Sequence, residues 1–305
     1  MLTHRMPLML AVVVATITLG CSIERTTAPA VTSDEGTALA LREKFESGAE
    51  SSAAGVEVTL SEPTGWATLT GRFFMNGTPP RRAALAVDKD RAICAPGGTQ
   101  ILEETVVVSA TGGIKDVLIY LVTKIPKDAP KWEHESYLAN KTGEVIFDQR
   151  KCVFLSHVFP MRSTQTLKIL NSDPVGHNTN IQAGRGAIPF NGLVGANGYA
   201  TYQPGGQTDR PFPVACSIHP WMSAYMITRD SPYFAVTDAN GDFEIANVPT
   251  GVELEFRVWQ QAPGFIDKVT VNDSAETWRK GRFSVTLTDG ETHEMNVSVD
   301  ASLFD

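Results

Sequence analysis

The chain has 305 residues, of which 42% are apolar and 20% charged. That is long enough for one large domain or two ordinary ones, each with a packed core, and it excludes wholesale disorder. The formal net charge of −8 speaks against nucleic acid as a partner, because phosphates are repelled by an acidic surface. It fits solubility and a basic protein partner.

The chain begins with a short polar start at His4 and Arg5, an uncharged run from Leu8 to Gly20, and Cys21 directly after Thr18-Leu19-Gly20. The run of 13 apolar or small residues falls short of the ~20 that span a bilayer. Residues 1–21 therefore read as a targeting segment and stand outside the fold. The segment resembles a bacterial lipoprotein signal. That resemblance implies cleavage before Cys21, acylation of its side chain, and export to the periplasm or cell envelope. The protein would then touch a membrane only through the N-terminal lipid. An ordinary secretory signal, with Cys21 beyond the cut, is the other reading; both imply export.

Residues 22–55 are rich in Ser, Thr, Ala, Glu and Gly, the composition of a flexible tether. From about residue 56 the pattern changes to short apolar runs punctuated by Gly, Pro, Asn and Asp, which predicts strands and turns. Strands are expected at Val56–Leu60, Ala67–Phe74, Thr105–Ser109, Val117–Thr123, Val145–Phe147, Thr166–Leu170 and Tyr225–Thr228. The run Val117-Leu118-Ile119-Tyr120-Leu121-Val122 is bulky on both faces, as a central strand requires. No long helical period occurs, so the fold class is all-β and the architecture is β-sandwich. The Gly-rich stretch Gln182–Arg210 reads as a long surface connection.

From Tyr233 onward a second unit is expected, giving domains at 56–230 and 231–305. Phe234–Ile245 reads strand, turn, strand, and Leu254–Trp259 alternates apolar with polar. Phe283, Val285 and Leu287 share one face, Asp289-Gly290 turns the chain, and Met295, Val297 and Val299 return. This order of elements resembles the small sandwiches of the carboxypeptidase regulatory-like and transthyretin-like group, where the turn at Asp238-Ala239-Asn240-Gly241-Asp242 belongs to a structural hairpin. A calcium loop starting at Asp238 would need a Glu where Pro249 stands.

The segment that carries chemistry is Cys216-Ser217-Ile218-His219-Pro220-Trp221-Met222. A thiolate, an imidazole and a thioether within seven residues can all project from one loop. A second imidazole is available upstream at His177, after the strand expected at Thr166–Leu170. Two His, one Cys and a weak axial Met form the ligand set of a mononuclear type 1 copper ion. Zinc prefers four strong ligands, and Met is a poor one. His157 is a candidate auxiliary ligand, though a plain core or surface histidine is the commoner outcome. Trp221, beside His219, is either a core residue or an exposed contact for a redox partner. Cys94 and Cys152 can pair in an oxidising compartment or remain as buried thiols.

His177-Asn178, followed by Cys-x₂-His-x₂-Met at Cys216, His219 and Met222, resembles the cupredoxins over roughly residues 66–230; the short ligand loop looks most like that of amicyanin. The resemblance implies a Greek-key sandwich with copper on His177, Cys216, His219 and Met222, and a role for Asn178 in tying the two ligand segments together. It also implies a carrier of single electrons and a redox partner such as a cytochrome or periplasmic oxidoreductase. Neither a Ser/His/Asp arrangement nor a pair of catalytic carboxylates stands out, and a closed four-ligand set leaves no open metal position for substrate. The chain is therefore expected not to be an enzyme. Copper storage or delivery by the same ligands, and a cell-envelope scaffold with a degenerate site, are the competing expectations.

Overall fold

The structure, a computed structural model, describes residues 61–126 and 129–304. The targeting segment with Cys21, the tether and the strand expected at Val56–Leu60 lie outside the described residues. Within them, strands form four sheets joined by turns and short helical segments.

Two of these sheets make the sandwich that carries the candidate site. One runs in the order Val158–Arg162, Ser223–Arg229, Phe212–Ala215, His177–Ile181, Phe190–Val194. The other runs Val153–Phe154, Glu144–Arg150, Thr166–Asn171, Tyr199–Tyr202. In Thr166–Asn171 the side chains of Leu167, Ile169 and Asn171 are buried while those between them are half-buried. This period of two places one face of a strand on a core. Here Phe147, Leu167 and Ile169 meet Ile181, Phe212, Val214 and Met226 from the facing sheet.

The second sandwich faces the sheet Asp242–Pro249, Trp66–Asn76, Thr292–Asp300, Lys268–Val271, Ser274–Thr277 against another. That other sheet runs Phe234–Val236, Leu118–Leu121, Glu253–Gln260, Gly264–Phe265, and Arg282–Thr286 also pairs with Glu253–Gln260. Leu69, Phe73 and Val297 pack there against Ile119, Leu254, Phe256 and Phe283.

The sheets do not divide at the expected boundary near residue 230. Trp66–Asn76 pairs antiparallel with Asp242–Pro249 and parallel with Thr292–Asp300. Leu118–Leu121 lies between Phe234–Val236 and Glu253–Gln260. Two strands expected in the first domain thus complete the C-terminal sandwich. The site-bearing sandwich is built from residues 144–229, with Leu85, Val87, Ile93, Cys94 and Ile101 from an earlier excursion packed on its core. Alternation in a sequence marks a strand and its buried face, but it does not name the neighbour.

Leu118–Leu121 is buried at every position. Ile119 and Leu121 enter the C-terminal core, while Leu118 and Tyr120 meet Val158, Ile227 and Trp259 between the sandwiches. At the same junction the buried guanidinium of Arg229 donates to the carbonyls of Leu121 and Thr208.

Three further expectations change. The Gly-rich stretch holds two strands, Phe190–Val194 and Tyr199–Tyr202, because Val194 and Tyr202 point inward despite the glycines around them. Phe234–Val236 and Asp242–Pro249 are not a hydrogen-bonded hairpin, since the turn between them carries the chain from one sheet to the facing one. That turn is set by Asp238, whose carboxylate accepts from the backbone N–H groups of Asn240 and Asp242. Thr105–Ser109 makes only an isolated bridge, Val108 to Ile114.

Candidate metal centre

Cys216, His219 and Met222 come from the loop that joins Phe212–Ala215 to Ser223–Arg229. Those strands pair antiparallel up to Ala215 and Ser223, so the loop is short and its ends are held together. The Cys216 N–H donates to the Met222 carbonyl at 3.2 Å, and the Met222 N–H donates to the His219 carbonyl at 2.9 Å. The Cys216 sulfur accepts from the His219 backbone N–H at 3.3 Å, which helps fix its position in the loop.

His177 opens the neighbouring strand. Ala215 pairs with Asn180, so the start of His177–Ile181 runs alongside the ligand loop. Asn178 Oδ1 accepts from the N–H groups of Ser217 at 2.6 Å and Ile218 at 3.3 Å, and its Nδ2 donates to Asn191. One side chain thereby bridges the two segments that carry the donors.

The resulting geometry is specific. The Nδ1 atoms of His177 and His219 lie 2.8 Å apart, and the Cys216 sulfur lies 3.9 Å from His219 Nδ1. Ligand atoms of all three residues fall within 4.8 Å of one another. His177 and His219 are fully buried, and Cys216 and Met222 are each 1% exposed. Met222 shares an apolar cluster with Cys216.

Carboxylates stand behind both rings. His177 Nε2 is 2.9 Å from Asp173 Oδ2, and His219 Nε2 is 2.8 Å from Asp90 Oδ2. A carboxylate facing each Nε2 orients the ring so that both Nδ1 atoms turn toward the shared pocket. Burial pushes His177 below the ordinary imidazole value, outweighing the upward pull of the Asp173 hydrogen bond. Two ring nitrogens and a buried sulfur therefore converge on one point, an arrangement of donors that suits a soft cation. Carboxylates behind ligating histidines also orient the rings and raise their basicity. The donor chemistry, N₂S with a thioether in the same loop, fits copper better than zinc.

The two carboxylates were not singled out from sequence. Asp173 also accepts from the backbone N–H groups of Lys151 and Cys152; it lies four residues before His177, a spacing that could have signalled it. Asp90 has no such signal, because it arrives from the excursion before the sandwich. It directly precedes the short helix Arg91–Cys94.

Cys94 and Cys152 are joined by a disulfide. His157 stays outside the donor group. It is buried, with Nε2 2.5 Å from Gln261 Oε1. Trp221 packs inward. It is 9% exposed, and its indole N–H donates to the Cys152 carbonyl at 3.0 Å. Of the two readings open for Trp221, its burial favours the core.

Fold and donors together define an all-β sandwich protein with a buried two-nitrogen, one-sulfur pocket suited to a transition metal. No protein-family profile matches the chain, and no curated protein matches it. Among solved structures, 28% of the chain is similar to the Cu(I) form of a methionine-to-alanine mutant of amicyanin, at 15% identity over 82% of that chain with a TM-score of 0.26. A methionine-to-glutamine mutant of amicyanin gives 16% identity over 83% of its length, for the same 28% of this chain and a TM-score of 0.26. A copper-containing nitrite reductase from Thermus scotoductus SA-01 matches the same share, 28%, at 18% identity, over 22% of its own length and with a TM-score of 0.26.

Proposed function

We propose that the chain is an exported, lipid-anchored protein that holds one mononuclear type 1 copper ion on His177, Cys216, His219 and Met222 and carries single electrons between redox partners. The observation that carries this reading is the pair of Nδ1 atoms 2.8 Å apart, each ring held from behind by a carboxylate, beside a buried cysteine sulfur. A copper ion bound there would supply a one-electron couple. The protein's contribution is rigidity: paired strands, the Asn178 bridge and the two carboxylates hold the donors in one arrangement for both oxidation states. With four protein donors the site is closed to substrate, which favours a carrier over an enzyme. A cytochrome or another periplasmic oxidoreductase is the class of partner such a carrier would serve.

The copper-loaded protein should show an intense visible thiolate-to-copper band and the narrow hyperfine pattern of a type 1 centre in electron spin resonance. A colourless protein, or one with an ordinary tetragonal Cu(II) signal, would overturn the reading.

Copper storage or delivery is the second reading, and one observation favours it. His219 has no solvent-exposed edge, since Asp90 covers its Nε2, so a partner cannot touch this imidazole directly. Reversible electrochemistry supports the carrier, whereas rapid Cu(I) release to an acceptor without it supports delivery.

A further inference from the structure

Two donors adjoin the pocket that the mononuclear reading does not use. The sulfurs of Cys94 and Cys152 and a ring nitrogen of His219 lie within 4.8 Å of one another, and the three residues are buried. Cys152 also lies in a group of the same tightness with Asp173 and His177. The disulfide therefore abuts the donor set.

Its two halves are wired to the two histidines. On one side, the Cys94 N–H donates to the Asp90 carbonyl at 2.9 Å, and the Asp90 carboxylate holds His219. On the other, the Cys152 N–H donates to the Asp173 carboxylate at 2.8 Å, and the same carboxylate holds His177. Lys151 and Cys152 both adopt left-handed backbone conformations, with φ of 56° and 54°, which turns their N–H groups onto Asp173.

We propose that reduction of the Cys94–Cys152 disulfide creates a second Cu(I) site from the two thiolates and His219, so that the chain holds two copper ions in the dithiol form and one in the disulfide form. The proposal rests on the reading of the first pocket as a copper centre. Six donors then divide into two sets of three: His177, Cys216 and Met222, and Cys94, Cys152 and His219. Low coordination by sulfur and imidazole suits Cu(I).

The chemistry balances with an external dithiol as reductant. It delivers two electrons and two protons; the Cys94–Cys152 S–S bond breaks, two S–H bonds form, and the reductant becomes a disulfide. Binding Cu(I) then releases both thiol protons as two Cu–S bonds form; His219 leaves Asp90 and binds through one ring nitrogen while its single proton rests on the other. The Asp90 carboxylate is 37% exposed, so water can take over its solvation. Arg91, Ala92 and Pro96, neighbours of Cys94 in sequence, are exposed.

The test is an anaerobic Cu(I) titration of the full chain against the chromogenic chelator bicinchoninate, with Cys21→Ser in place so that no other thiol is counted. One ion per chain is expected with the disulfide intact, two after reduction by a phosphine and its removal, and one in both conditions for Cys94→Ser/Cys152→Ser. One ion before and after reduction overturns the second site and leaves the first standing. No ion in the disulfide form, with one gained on reduction and lost in the double variant, keeps the thiol site and removes the mononuclear centre. Far-ultraviolet circular dichroism is followed throughout, and unfolding on reduction also overturns the proposal, because the site needs the folded pocket.

Discussion

Asp90 holds the Nε2 of His219 at 2.8 Å across 129 positions of sequence. That contact, with its counterpart between Asp173 and His177, decides which ring nitrogen faces the donor pocket. Removing Asp90 should therefore act on metal affinity. Asp90→Ala is expected to weaken copper binding by ~10–100-fold, the usual effect of losing a hydrogen-bond partner behind a ligating histidine. Its carboxylate is partly exposed, so the denaturation midpoint of the metal-free protein should barely move. Competition titration beside urea unfolding separates the two quantities.

Asp173→Ala should differ in kind. Its carboxylate is buried and serves two backbone N–H groups as well as His177. The variant should lose metal affinity and also about 1–3 kcal/mol of fold stability for the buried Cys152 N–H left without a partner, with less for Lys151, an exposed residue whose N–H can turn to water. Metal-free unfolding that matched the parent protein would contradict this.

Asn178→Ala removes the acceptor shared by Ser217 and Ile218. Because Ser217 is exposed, water can replace part of what is lost, and the stability cost should be only about 1 kcal/mol. The larger effect is expected in copper dissociation, which should quicken as the ligand loop loosens. Asn178→Asp keeps the acceptor and should restore much of the parent rate, as measured by transfer to a chelator.

Alkaline pH should destabilise the protein through its buried phenols. Burial raises Tyr120, Tyr137, Tyr233 and Tyr202, the last to about 12. A free phenol ionises near ~10, so the unfolded chain releases these protons before the folded one does. Their contribution is fully present below pH ~10 and lost as the pH climbs toward the folded-state values. Thermal midpoints measured from pH 8 to 12 should hold steady and then fall steeply; a flat profile would show that these rings do not stay neutral in the fold.

Ile119→Ala should test the shared strand. Ile119 is fully buried in the C-terminal core, while Leu118 beside it packs between the sandwiches. A cavity at such a position costs about 2–5 kcal/mol. If the strand couples both halves, visible absorption from copper loaded into the candidate pocket and tryptophan fluorescence should report a single, lower transition; separate transitions would show that the halves unfold independently.

The candidate donor loop was legible because three unlike donors stand within seven residues, and the short connection between paired strands brings Cys216 and His219 together. His177 was legible as an imidazole that follows a strand. Asp90 was not, since an aspartate in a polar stretch looks like solvated surface until the excursion folds over the loop. Trp221 was ambiguous for the opposite reason: its amphipathic ring suits surface and core alike, and the carbonyl of Cys152 decides the matter. Leu118–Leu121 could be read as a strand covered on both faces, but its partners could not, because its own side chains are the same whichever neighbours it takes. The strands in Gln182–Arg210 were hidden by glycines, which lower strand propensity locally while tertiary packing of Val194 and Tyr202 overrides it.

Tyr120 pairs with Phe234, and every residue of the site-bearing sandwich from 144 to 229 lies between them in the chain. During synthesis Trp66–Asn76 and Leu118–Leu121 emerge long before the strands that flank them. They wait with bare edges while the inserted module is made, and the outer module closes only afterwards. Non-local pairing of this sort is slow and exposes sticky edges. The inserted module therefore matures inside an unfinished frame, and a lesion that stalls it would strand the outer module as an aggregation-prone fragment even though none of the frame's own residues had changed.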